Sequence, residues 1–189
     1  MLASRTLFPA APAELLGRGV SITDRTGLGL ASVVARNNLA GALAGRVRER
    51  MGLELPEGAE RVAAGSIAFA GTGPGAWLAS RENGHETFAA FLSGIIGDLA
   101  AVADQSDGYG VLRLSGARVT AILSKLVPLD LDARAFKPGH VATTVAAHVG
   151  VVLWRLDSSD CPLPCFEVAV RRSVTGSFWD ALLTSAMSP

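Results

Sequence analysis

The chain has 189 residues, of which 49% are hydrophobic and 18% charged, with 17 basic residues balancing 17 acidic ones. That length suits one domain, or two small halves sharing a core, and a body of this size buries roughly 70% of its unfolded surface without needing disulfides. Zero net charge excludes a field that would gather nucleic acid or an anionic membrane, and it leaves little electrostatic protection against association with other chains.

The first 24 residues carry Pro9, Pro12, Gly17 and Gly19 and read as an N-terminal arm. They lack the apolar core, about 7–15 residues long, of a secretory signal. The longest apolar segment, 141–154, is interrupted by Thr143, Thr144 and His148 and is too short to span a bilayer. A cytoplasmic protein is expected.

Residues 27–34 predict a strand. Leu39, Leu43, Val47 and Met51 then recur every fourth residue, which predicts a helix with one apolar face. Gly52 stands where a left-handed cap is wanted, and Arg46, Arg48 and Arg50 favour the C-terminal end of the helix dipole. After a turn at 56–58, residues 62–70 predict a second strand, and Trp77-Leu78 begins a short third. Phe88, Phe91, Leu92, Ile95, Ile96 and Leu99 fall at helical spacing and predict a broad buried stripe, with Asn83-Gly84 breaking the chain ahead of it. With a strand near Ala103, the order is the ferredoxin-like βαββαβ progression.

Asp107-Gly108 has the composition of a two-residue hairpin turn, so 102–106 and 109–114 are expected to pair. Ser115 is placed to cap a helix whose stripe is Val119, Ile122, Leu123 and Leu126, and Pro128 stops it. Two strand-like runs, 141–147 and 151–156, turn at Gly150. Residues 157–160 are a loop, and Phe166, Val168 and Val170 alternate in a last strand. Ser173 is placed to cap a final helix with Phe178, Leu182 and Ala186 on one face. The expectation is an α+β fold, a mostly antiparallel sheet with packed helices, organised as an arm over 1–24 and a single domain over 25–189.

Several residues carry potential chemistry. Gly71-Thr72-Gly73-Pro74-Gly75-Ala76 matches G-x-G-x-x-[GA] after a strand, but Pro74 removes an amide donor and no long helix follows at once. A tight turn between antiparallel strands accounts for it better. His85, His140 and His148 are the natural acid–base candidates, yet no serine lies in a nucleophile-elbow setting. Asp130, Asp132 and Glu167 could pair as carboxylates, although loop capping and pairing with Arg134 explain the two aspartates more simply. Arg171-Arg172 before Ser173 could hold a phosphate at a helix start, against a solvated edge or an interface salt bridge. Cys161 and Cys165 flank a Pro-rich loop. Metal binding would need about four ligands, and the histidines have no matching spacing. A disulfide across the loop is the other option, and reduced thiols are expected. No residue is assigned as catalytic, cofactor-binding or metal-ligating.

A family resemblance covers most of the chain. Its residues are Asp104-Gln105-Ser106, V-L-R-L-S-G at 111–116, I-L-S-K-L-V-P-L-D-L at 122–131, R-A-F-K-P-G at 134–139, Trp154-Arg155 and R-S-x-x-x-S-F-W at 172–179. G-L-G-L-A-S-V-V-A-R at 27–36, G-L-E-L-P at 52–56 and G-P-G-A-W-L at 73–78 extend it. Together they are similar to the gamma subunits of heterotetrameric sarcosine oxidases. The progression from D-x-S through a strand ending in S-G to a helix is the wider mark of the aminomethyltransferase superfamily.

The resemblance implies a fold like the first folate-binding domain of the glycine-cleavage T-protein. It also implies a small subunit without its own flavin, assembled with alpha, beta and delta subunits that hold FAD, FMN, NAD and tetrahydrofolate. Such an assembly oxidatively demethylates sarcosine to glycine, making hydrogen peroxide and passing one carbon to tetrahydrofolate. The alternative is a stand-alone folate-binding or one-carbon transfer protein, and a third reading is a nicotinamide enzyme using residues 71–76.

Overall fold

The structure, a computed structural model, describes residues 7–10, 19–157, 159 and 161–188. The chain divides into two compact units, Gly27–Gly108 and the combination of Met1–Thr26 with Tyr109–Pro189. A plan with an arm over 1–24 and one domain over 25–189 does not mark that division. Pro12 and Gly17 of the expected arm lie outside the described residues.

The Gly27–Gly108 unit runs β2 (Gly29–Ala35), α1 (Ala40–Met51), β3 (Arg61–Ala64), β4 (Ile67–Gly73), β5 (Ala76–Arg81), α2 (Phe88–Ile96) and β6 (Ala100–Asp104). Its antiparallel sheet has the order β3-β4-β5-β2-β6. One sheet face presents Ala31, Val33, Phe69, Trp77 and Ala79 to Leu43 and Val47 of α1 and to Phe88, Leu92 and Ile96 of α2. The helix periodicity read from the sequence is therefore the packing. Gly52 takes the left-handed cap conformation (φ 63°) and donates to the Arg48 carbonyl, because a residue without Cβ meets no steric cost there.

Three local expectations change in this unit. The run 62–70 is two strands turning at Gly65 (φ 57°), which adds one strand to the expected progression. Phe91, read as part of the buried stripe, is 41% exposed and lies under the Arg81 guanidinium at 5.1 Å. The hairpin across Asp107-Gly108 does not form. Ala100–Asp104 pairs with β2, while the following strand joins the other sheet. Gly108 N–H closes a turn on the Gln105 carbonyl, but neither Asp107 nor Gly108 adopts positive φ. A two-residue turn of the hairpin type needs positive φ at its centre, so the dipeptide makes a turn without making a hairpin.

The second unit contains β1 (Ser21–Asp24), β7 (Tyr109–Ser115), α3 (Val119–Ser124), β8 (Val141–Ala146), β9 (Val149–Arg155), β10 (Cys165–Arg171), a 3-10 turn (Arg172–Val174) and α4 (Thr175–Met187). Its antiparallel sheet has the order β1-β7-β10-β9-β8. Leu112, Leu114, Leu153, Phe166, Val168 and Val170 project from one face against Val119, Ile122 and Leu123 of α3 and Phe178 and Leu182 of α4. Phe8 joins this core, its ring centroid 6.0 Å from that of Trp179.

Neither expected serine cap is made. The N-caps of α3 and α4 are Arg118 and Val174, and neither forms a side-chain cap hydrogen bond. The chain turns between β8 and β9 at Ala147-His148 (φ 46° and 71°) rather than at Gly150. Both are L-residues held in the left-handed region, a conformation that costs of order 1–3 kcal/mol and persists only where surrounding pairing enforces it. The α+β class and the mostly antiparallel strands are as the periodicities indicate.

Candidate functional site

Strand β10 alternates, sending Phe166, Val168 and Val170 into the core and Glu167 to the opposite face. Register then chooses the neighbours of Glu167: Arg113 directly across on β7 and Trp154 directly across on β9. Glu167 is only 3% exposed. Its Oε1 accepts from Arg113 Nε at 2.9 Å and lies 2.8 Å from Arg113 Nη2, and Arg25 Nε stands 2.9 Å away as a further ion pair. Trp154 Nε1 donates to Oε2 at 2.9 Å.

Both carboxylate oxygens are thus engaged. Buried charge survives where ion pairs and hydrogen bonds compensate its lost hydration. A carboxylate occupied in this way organises the sheet face and has no vacant oxygen aimed at a substrate. The other two candidate carboxylates do not join it. Asp130 Oδ1 accepts from Asp132 N–H, and Asp132 Oδ1 accepts from the backbone N–H and Nε of Arg134. The Arg134 backbone N–H, followed by its side chain, holds the Asp132 carboxyl below its ordinary value.

One hollow does gather two sequence candidates. It encloses about 450 Å³ and is lined by Tyr109, Thr143, His148, Arg171 and Ser173 together with a wall of valines. Arg171 lies over the Tyr109 ring at 5.4 Å, a cation–π contact. The other histidines are elsewhere. His85 Nε2 is 3.6 Å from Asp107 Oδ1 on an exposed surface, and His140 meets Phe136 edge-on at 5.7 Å. Among the described residues, no histidine hydrogen-bonds a serine hydroxyl. No three His, Cys, Asp or Glu side chains gather as a metal ion would require, again among the described residues.

The glycine-rich 71–76 segment is a strand connection. It contains a register shift between Gly71 and Gly73, turns through Gly75 (φ 64°), and leads straight into β5. Gly71 has its backbone against the Gly58 carbonyl, leaving no room for a Cβ. That close approach, rather than a pyrophosphate, accounts for a glycine there.

Sequence reasoning missed what Ser106 does. This buried hydroxyl accepts from Leu30 N–H at 3.0 Å and donates to the Leu30 carbonyl at 3.3 Å, while Asp104 Oδ1 accepts from Ser106 N–H at 2.9 Å. The D-x-S motif therefore staples the exit of β6 to β2. Its spacing was visible in the sequence, but its partner 76 residues earlier was not.

Comparison with known proteins places this geometry. The sarcosine oxidase, gamma subunit family model matches residues 36–187. The chain is 36% identical over 110 residues to sarcosine oxidase subunit gamma from Corynebacterium sp. (strain P-1), covering 57% of this chain and 54% of that protein. It thus spans about half the length of that curated relative. Its fold is similar to a chain of the heterotetrameric sarcosine oxidase from Corynebacterium sp. U-96 in complex with pyrrole 2-carboxylate, with TM-score 0.76 and 24% identity over 92% of this chain and 90% of that one. It is also similar to the glycine cleavage system aminomethyltransferase T from Bartonella henselae, with TM-score 0.63 and 14% identity over 90% of this chain and 48% of that one. Because the family model spans most of the sequence, from the residue after β2 to the end of α4, this chain belongs to the sarcosine oxidase gamma subunit family.

Proposed function

We propose that this chain is a non-catalytic gamma subunit of a heterotetrameric sarcosine oxidase, docked with alpha, beta and delta subunits. In this reading the assembly oxidatively demethylates sarcosine to glycine, releases hydrogen peroxide and passes one carbon to tetrahydrofolate. FAD, FMN, NAD and tetrahydrofolate reside on the partners, and the complex works in the cytoplasm. The family match over residues 36–187 carries the proposal.

Two physical observations support it. Glu167, buried on the central strand of the second unit, is fully engaged by arginine and tryptophan groups, which suits a framework more than a reaction centre. Zero net charge favours close association, since no self-repulsion opposes it. No helix among the described residues is long and apolar enough to cross a membrane. Expressed together with the three presumed partners, the chain should co-purify in stoichiometric amount. A chain that stays monomeric in their presence would overturn the proposal.

The likeness in fold to an aminomethyltransferase supports a second reading, a stand-alone folate-binding or one-carbon transfer protein. Calorimetric titration of the isolated chain with tetrahydrofolate separates the two. Micromolar binding would favour the second reading, and absence of binding would remove it.

A further inference from the structure

Strand register builds the hollow at one end of the second unit's sheet. Tyr109 opens β7 directly across from Arg171, the last residue of β10. Val170 faces Val151 on β9, and Val151 in turn faces Thr144 on β8. The β8–β9 connection at Ala147-His148 is a tight turn with both residues at positive φ, so His148 is fixed on the rim by the hairpin and does not ride on a long loop. With Ser173 of the 3-10 turn, these residues enclose about 450 Å³. That is within the usual size of a small-molecule site.

The lining divides into two chemistries. Val149, Val151 and Val152 are buried and form an apolar wall, while Arg171, His148 and Ser173 stand exposed around it. The Arg171 guanidinium lies 5.4 Å from the centre of the Tyr109 ring, a cation–π contact that holds it in place. Among the described residues, no carboxylate pairs with Arg171 or His148, and no protein group hydrogen-bonds the hydroxyl of Tyr109 or Ser173. No acidic side chain lines the hollow among those residues either. A chain of zero net charge thus sets cationic and hydroxyl donors beside an apolar wall, with no acceptor of its own among them.

We propose that this hollow is a binding site for a small organic anion, a single carboxylate on an apolar body. The carboxylate accepts from Arg171, whose planar fork donates to both of its oxygens, and from the Tyr109 and Ser173 hydroxyls. The apolar body covers the valines. An amino-acid zwitterion is disfavoured, because no lining carboxylate receives its ammonium group. Inorganic phosphate has no apolar part and gains nothing from the wall. The inference stands on residues of this unit alone and is independent of the proposed oxidase assembly.

The test titrates the purified, isotope-labelled full chain with sodium benzoate as the probe and follows its amide resonances by NMR. Saturable shifts should gather at Tyr109, Thr144, His148, Arg171 and Ser173. Benzamide, the neutral counterpart, and phenylglycine, which adds an ammonium, should each bind at least about tenfold more weakly than benzoate. Benzoate should weaken by a similar factor against Arg171→Gln, the scale of losing a hydrogen bond to a charged group. Arg171→Lys should fall between, since it keeps a point charge without the fork. Four results would each overturn the proposal: no saturable shift at millimolar benzoate, shifts gathered elsewhere, benzamide or phosphate binding as tightly as benzoate, or benzoate affinity unchanged by Arg171→Gln. The benzoate–benzamide comparison uses the unaltered chain and decides the matter even if Arg171→Gln does not fold.

Discussion

The two units solve the same problem, covering one face of an antiparallel sheet with helices, using different chemistry in the sheet itself. In Gly27–Gly108 the packed face is built from small and aromatic residues such as Ala31, Val33, Ala79, Phe69 and Trp77. Its buried polar groups are single stitches, with Ser106 tied to Leu30 and Trp77 Nε1 donating to the Pro56 carbonyl. The other unit places an ion cluster on its central strand, where Glu167 meets Arg113, Arg25 and Trp154. The comparison teaches that one unit depends mainly on packing volume and the other depends also on charge compensation. A mutation that removes volume and one that removes charge should therefore act differently.

The largest expected effect is on the packing side. Phe88→Ala empties a fully buried site beside Leu92 and Ile96 and should cost ~3–5 kcal/mol by denaturant unfolding. A loss under about 1 kcal/mol would mean that the core collapses around the deletion, and the contrast between units would weaken. Glu167→Ala should follow, at ~3 kcal/mol, because Arg113, Arg25 and the Trp154 N–H lose their shared acceptor. High salt should leave most of that loss in place, since buried pairs are poorly screened. A near-neutral Glu167→Leu alongside a costly Glu167→Ala would show that the ion cluster is replaceable by packing.

A smaller effect is expected at the end of α1. Gly52→Ala forces a Cβ into φ 63° and should cost ~1 kcal/mol, although open space surrounds the position. The mildest test is a titration within the second unit. Asp24 is desolvated by burial, against the lowering effect of the Leu7 and Phe8 amides, and its carboxyl should titrate above 3.8. Asp132, held by the Arg134 N–H groups, should titrate below 3.8.

The signs of their contributions to stability follow from linkage. A raised carboxyl binds its proton more tightly when folded, so the Asp24 contribution is greatest below 3.8 and declines as pH rises through its raised value. Asp132 behaves oppositely: its contribution is present above 3.8 and is lost as pH falls through its lowered value. Carbon-detected NMR titration of the two carboxyls would check both directions. Asp24 titrating below Asp132 would contradict the burial of the former.

Much of the secondary structure was legible because it depends on neighbours three or four residues away. Leu43 and Val47 on α1, and Phe88, Leu92 and Ile96 on α2, announced their helices by spacing, and Gly52 announced an end. The Ser115 and Ser173 caps failed because their helices begin a few residues later, where backbone bonds such as Val119 N–H to the Gly116 carbonyl start the turn. Phe91 failed because periodicity identifies a face without giving its width. Of the candidate groups, Cys161 and Cys165 were visible as a pair four residues apart. His148 and Arg171 were visible only singly, since the hollow they share is made by strand pairing.

By itself the sequence determined the α+β class, the helical faces, the left-handed cap at Gly52 and the family motifs, all of which are encoded by local periodicity and backbone permissiveness. Tertiary structure decided which sheet each strand joined. Residues 102–106 and 109–114 read as one hairpin, yet the strands that form there, Ala100–Asp104 and Tyr109–Ser115, pair with β2 in one sheet and with β1 and β10 in the other. Every strand exposes the same unpaired N–H and C=O groups, so local pattern cannot name the partner. Burial of the side-chain faces across the whole chain makes that choice. The same register brought Arg113 and Trp154 to Glu167, turning three separated residues into one compensated cluster.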